Sequence, residues 1–181
     1  SDFITSNAVV DSIDAGAGED RVIIEDTAGW TISAGDLDDR IQNVESITLG
    51  DTPAGYGSIN IALDDTDVPA SGLHTIDLSN DSSNGEGNFV NLSGVSDTDT
   101  DLSTGGFTVI GGADEDEIRG TANTDTLTGG AGNDTFVLES GEDVVTDFDT
   151  GSDTVGSADK IDLSLAGVNN DGNTSRLMYE A

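Results

Sequence analysis

The chain has 181 residues, 34% of them hydrophobic and 4% aromatic, and its 37 acidic against 5 basic residues give a net charge of −32. So thin an apolar supply does not build a globular core of ordinary thickness, whereas a solenoid buries only a narrow apolar line between coils. The composition also excludes nucleic acid as a partner, for want of a basic patch; it excludes disulfides and thiolate-bound metals, for want of cysteine; and it holds no apolar run that spans a membrane.

At the N-terminus, Asp2, Asp11 and Asp20 fall nine residues apart, as do Ile4, Ile13 and Val22. Ala15–Ile23 (AGAGEDRVI) is close to a complete nine-residue unit. A one-residue insertion near Ile24 then shifts the frame, after which Trp30 and Asp39 take the Asp slot and Ile32 and Ile41 the apolar slot. Residues 1–42 therefore read as a run of about four to five units; Asp36–Ile41 reads alternatively as a short helical turn. Residues 43–110 lose the period but keep alternating apolar segments, at Val44–Leu49, Ile59–Leu63, Thr75–Leu78, Phe89–Leu92 and Phe107–Ile110. These predict strands separated by turn-forming Gly, Asn, Asp and Ser.

From Gly111 the period returns in full as GGADEDEIR, GTANTDTLT, GGAGNDTFV and then LESGEDVVT. Asp116, Asp125, Asp134 and Asp143 hold the sixth position, and Ile118, Leu127, Phe136 and Val145 the eighth. Residues 111–164 are assigned to this second run and its closure, and 165–181 to a cap or frayed tail. The form G-G-x-G-x-D-x-U-x marks a parallel β-roll that binds Ca²⁺. Ca²⁺ takes six to eight oxygens from carboxylates, carbonyls and water. Two nonapeptides make one coil, so residues eighteen apart stack. Asp116 then meets Asp134, and Asp125 meets Asp143. Such stacked carboxylates repel without a cation, which makes folding conditional on the metal. The bland alternatives are a disordered acidic chain and an acidic surface adapted to salt.

These units resemble the RTX (repeats-in-toxin) family of secreted bacterial proteins. The resemblance implies ions held by turn carbonyls and sixth-position aspartates of units n and n+2. On one side these are the carbonyls of Gly111, Ala113, Gly130 and Gly132 with Asp116 and Asp134. On the other they are those of Gly120, Ala122, Glu139 and Gly141 with Asp125 and Asp143. At the N-terminus it pairs Asp2 with Asp20. It sets Asp11 against Gly29 or Trp30, neither of which has a carboxylate, and allows Asp20 with Asp39. Asp114 and Asn123 stand at the fourth-position glycine and are taken with the site; there a positive φ would strain the turn. Thr121 replaces a second-position glycine. The segment after the last repeat also resembles the family, and Asp147, Asp149, Asp153 and Asp159 would cap the roll around another ion.

Other chemistry is poorly supported. His74 is the single histidine, and no nucleophile elbow, HExxH or phosphate-binding loop accompanies it. Asp147-x-Asp149-x-Gly151 lacks the final Glu of an EF-hand loop. The clusters Asp64, Asp65, Asp67 and Asp97, Asp99, Asp101 read as solvated surface.

The expected fold is all-β, a right-handed parallel β-roll or solenoid with several Ca²⁺ ions and no catalytic residue. The expected function is a calcium-binding structural module of a large extracellular bacterial surface protein, of the surface-layer or adhesin kind. It would be exported unfolded by type I secretion, with self-assembly through Ca²⁺ and a cell-surface glycan as further partners. The alternatives are the C-terminal secretion and folding module of an exported hydrolase, and a ligand-binding adhesin module. The opening in mid-repeat suggests excision from a longer protein.

Overall fold

The computed structural model describes residues 2–3, 13–24, 30–34, 41–50, 57–68, 72–82, 85–96, 106–151, 158–163 and 178–179. In chain order its strands are β1 (Asp2–Phe3), β2 (Ile13–Asp14), β3 (Arg21–Ile24), β4 (Trp30–Ile32), β5 (Ile41–Gln42), β6 (Ser46–Leu49), β7 (Ile59–Asp64) and β8 (Thr75–Asp77). There follow β9 (Phe89–Gly94), β10 (Thr108–Ile110), β11 (Glu117–Arg119), β12 (Thr126–Thr128), β13 (Thr135–Val137), β14 (Val144–Val145), β15 (Lys160–Asp162) and β16 (Met178–Tyr179).

The strands are two to six residues long and rich in Ile, Val and Thr, which suit a pleated surface buried on one side. β7 shows the alternation plainly: Ile59, Ile61 and Leu63 are buried, while Asn60, Ala62 and Asp64 are half-exposed. All pairings are parallel, and from β6 onward consecutive strands go to opposite sheets. One sheet runs β1-β3-β6-β8-β10-β12-β14-β16 and the other β15-β13-β11-β9-β7-β4. Among the described residues each coil thus pairs its strands with the coils before and after it. This is the expected all-β parallel roll. The short β2 and β5 pair with each other as a third side near the N-terminus.

Register fixes the core. Val22 lies opposite Ile47, Ile47 opposite Ile76, Ile76 opposite Val109, Val109 opposite Leu127 and Leu127 opposite Val145. The facing column is Ile32, Ile61, Val90, Ile118, Phe136 and Ile161. All but Ile161 in these columns are buried, and Ile161 packs against the cluster. Coils in the roll advance by eighteen residues, as from Ile118 to Phe136. The coils between β6 and β11 advance by 28 to 33, as from Val90 to Ile118 or Ile76 to Val109. The extra residues fall between the strands, and the strands keep their pairing. Asp36–Ile41 lies outside the described residues except for Ile41, which is in β5.

The N-terminal end departs from expectation. Asp2 lies opposite Val22, not Asp20. Ile13 lies opposite Ile41 in the side sheet. β3 pairs with β6, which places Asp20 beside Glu45. The pair Asp2–Asp20 is therefore corrected. The physical reason is the third side strand, which lengthens each coil there, so nine-residue spacing in sequence does not become eighteen-residue stacking. Asp11 and Asp39 lie outside the described residues.

Candidate metal centre

Each nonapeptide of the roll is a turn followed by a strand of two or three residues. The sixth-position Asp sits at the end of the turn, two residues before the buried apolar centre of its strand. That same slot recurs along both sheets. In one sheet it holds Asp20, Glu45, His74, Phe107, Asp125 and Asp143. In the other it holds Trp30, Ile59, Asn88, Asp116, Asp134 and Asp159.

Side-chain oxygens in the slot stitch one coil to the previous one. The backbone N–H of Asp116 donates to Oδ1 of Asp134 at 2.8 Å, and that of Asp125 to Oδ1 of Asp143 at 3.0 Å. The Phe107 N–H donates to Asp125 Oδ1 at 2.7 Å and the Asn88 N–H to Asp116 Oδ1 at 2.6 Å. The second oxygen binds back into its own turn: the Gly112 N–H donates to Asp116 Oδ2 at 2.5 Å and the Thr121 N–H to Asp125 Oδ2 at 2.6 Å. Thr121 also donates its hydroxyl to Asp125 Oδ1 at 3.0 Å, which gives a hydroxyl a use where the pattern has glycine.

All four sixth-position aspartates of the roll are buried, with at most 4% exposure. Burial raises the pKa of Asp116 and Asp125 against the hydrogen bonds that lower it. Asp134 and Asp143 are pushed up to about 6, first by burial, and their stacked neighbours Asp116 and Asp125 add repulsion. Glu139 adds its charge beside Asp143. Among the described residues no three acidic or imidazole side chains converge. A cation here would therefore draw most of its ligands from the backbone.

The turns supply them. Gly130 and Gly132 have φ of 105° and 152°, and a Cβ at either would fall on the carbonyl oxygen of Gly112 or Asp114 in the coil before. Only glycine permits that approach. At Gly111 the space of a Cβ is instead lined by the Gly129 carbonyl oxygen and Asp116 Oδ2, and at Gly120 by Asp125 Oδ2. On the second side Gly141 approaches the carbonyl oxygens of Asn123 and Ala122 in the same way. A carboxylate oxygen holding one N–H keeps a lone pair for a cation. Turn carbonyls and carboxylate oxygens brought close between coils are hard oxygen donors of the kind that suit Ca²⁺, a hard cation of flexible coordination. Bound there, it would neutralise the buried carboxylates.

The structure brings Gly130 and Gly132 against Gly112 and Asp114, Gly111 against Gly129, and Asp116 against Asp134; on the other side it brings Gly141 against Ala122 and Asn123, and Asp125 against Asp143. Asp114 and Asn123 do not carry the expected strain: Asn43 is the only non-glycine with positive φ among the described residues. The closure uses its aspartates on backbone donors. Asp147 accepts from the Gly129 and Gly130 N–H groups at 2.9 and 2.7 Å. Asp159 accepts from Asp134 at 2.9 Å and Asp149 at 2.7 Å, and Asp149 accepts from the Gly151 N–H at 2.8 Å. Asp153 lies outside the described residues.

Sequence reading missed Glu45, Asp81 and Asn88. Glu45 Oε2 accepts from the Asp20 N–H at 2.7 Å, doing for a longer coil what Asp134 does for Asp116. The nine-residue period hides Glu45 and Asn88. Counting back two residues from each apolar strand centre finds them.

Comparison with known proteins agrees with the geometry. A family model described as the RTX calcium-binding nonapeptide repeat matches residues 110–145 as four copies. No curated protein and no solved structure matches the chain. Repeats of this kind bind calcium ions, and residues 110–145 belong to the RTX calcium-binding repeat family.

Proposed function

We propose that this chain is a calcium-binding structural module of a large extracellular bacterial surface protein, of the surface-layer or adhesin kind. The reading rests on one observation: carboxylates are stacked and buried between coils, with pKa raised by burial and by one another. The expected ligands are the turn carbonyls and stacked aspartates of residues 111–143. In a cytosol poor in Ca²⁺ the roll stays open, which suits export unfolded through a type I channel. Outside, sites of about 10⁻⁴–10⁻³ M affinity fill and drive folding. The working division is 1–42, 43–110, 111–164 and 165–181. No catalytic role is assigned, and Ca²⁺ bridging of acidic faces between copies is part of the proposal.

The test is a Ca²⁺ titration of the chelated chain, followed by circular dichroism and light scattering. A cooperative rise in β-signal at sub-millimolar to millimolar Ca²⁺, absent with equal Mg²⁺, supports the reading. Growth beyond the monomer supports a lattice. A chelated chain already fully folded and indifferent to Ca²⁺ overturns it.

A further inference from the structure

The slot that carries stacked carboxylates in the roll is filled differently just before it. Phe107 and Ile59 occupy it without any charge, and Asn88 occupies it with an amide. Asn88 is 3% exposed, as is Asp81. The Asn88 side chain spans the seam. Its Oδ1 accepts from the Ile59 N–H of the preceding coil at 3.0 Å, and its Nδ2 donates to Asp81 Oδ2 at 3.0 Å. Its own backbone N–H donates to Asp116 Oδ1, the first sixth-position aspartate of the roll, at 2.6 Å. Gly112 packs over this group, with Asp81 and Asn88 lining the space of a Cβ there.

An amide differs from a carboxylate in one decisive way. It both accepts and donates. Asn88 therefore satisfies the Ile59 N–H and the Asp81 carboxylate at once, with no cation between them. Asp81 already repels Asp116, and an Asp in place of Asn88 would add a third carboxylate to that pair.

We infer that Asn88, held by Asp81, is a positioning residue. It closes the seam between the irregular coils and the roll without metal, and it presents Asp116 to the first calcium site in a fixed orientation. The inference rests on the calcium reading above. It makes the coils of β7 and β9 a preformed template on which the roll folds when Ca²⁺ arrives.

The test is hydrogen exchange of the full chain, read separately over 57–68, 85–96 and 111–145, in chelator and in Ca²⁺, with the Ca²⁺ midpoint measured alongside. In chelator the wild type is expected to protect 57–68 and 85–96 but not 111–145. N88A loses protection of 57–68 and 85–96 in chelator, and raises the midpoint about tenfold, as expected for a lost buried hydrogen-bonded anchor. N88D loses the same protection in chelator but regains it with Ca²⁺, because a cation offsets the new charge beside Asp81; a residue with a merely structural role gives no such rescue. A calcium-responsive wild type whose 57–68 and 85–96 segments exchange freely in chelator overturns this inference alone. So does N88A with a midpoint within twofold of wild type. A variant that fails to fold leaves the wild-type comparison to decide. A wild type indifferent to Ca²⁺ overturns the calcium reading and this inference with it.

Discussion

Asp125 shows what a single side chain does in this architecture. It receives two backbone N–H groups, from Phe107 and Thr121, and the Thr121 hydroxyl. Removing it leaves buried donors unsatisfied, each costing about 1–3 kcal/mol. D125A is expected to lose roughly 2–5 kcal/mol in urea unfolding at saturating Ca²⁺, while E142A, at an exposed site, stays within about 0.5 kcal/mol. Equal effects at the two sites would count against the buried role. Protons test the same group of residues. In Asp134 and Asp143 the folded pKa is raised from the ordinary 3.8 to about 6. The folded chain then holds protons that the unfolded chain has released. The resulting stability is full below 3.8 and is lost as pH rises through about 6. In chelator, β-signal should therefore increase as pH is lowered from 7 toward 4. With Ca²⁺ the midpoint should rise over the same descent, because protons compete for the oxygens. A midpoint unchanged between pH 7 and pH 5 would show that these carboxylates do not bind the ion.

At the level of the element, turn and strand fail differently. Gly132→Ala puts a Cβ onto the Asp114 carbonyl at a φ that L-residues rarely adopt. It should cost about 1–3 kcal/mol and raise the Ca²⁺ midpoint, because the same approach brings the carbonyls together. Phe136→Ala empties a fully buried position and should cost about 3–5 kcal/mol. Urea unfolding in Ca²⁺ checks both; a Gly132→Ala chain as stable as wild type would mean that the turns need not touch. The contrast explains what could be read beforehand. The five strands foreseen in the middle section correspond to β6 through β10, since alternation in Ile59–Leu63 or Thr75–Leu78 is a local property. The stacking of Asp116 on Asp134 was legible because two units make a coil wherever turns have constant length. Asp20 was not assignable to Glu45, because coil length there depends on β2 and β5, whose pairing no local pattern announces. Asn88 stayed hidden because the coils on either side of β9 advance by 29 and 28 residues, off the nine-residue period.

For the molecule as a whole, the net charge of −32 separates two effects that calcium combines. Screening at 1 M salt shortens the Debye length to about 3 Å and relieves general self-repulsion. It does not supply a divalent cation to the turn carbonyls and stacked aspartates. Sodium chloride added to the chelated chain should reduce its scattering radius without the gain in β-signal over the roll that millimolar Ca²⁺ produces. β-structure induced by sodium chloride alone would instead favour an acidic surface adapted to salt.

The unequal coils also have a mechanical meaning. Neighbouring coils are joined only to each other, so a solenoid drawn out along its axis can surrender them one at a time. A coil of eighteen residues releases about 60 Å of extended chain, and one of 28 to 33 residues about 100–115 Å. The molecule is thus a tether with two gauges of slack. Its short-step section carries the calcium-binding repeats, and its long-step section is held by hydrogen bonds and apolar packing.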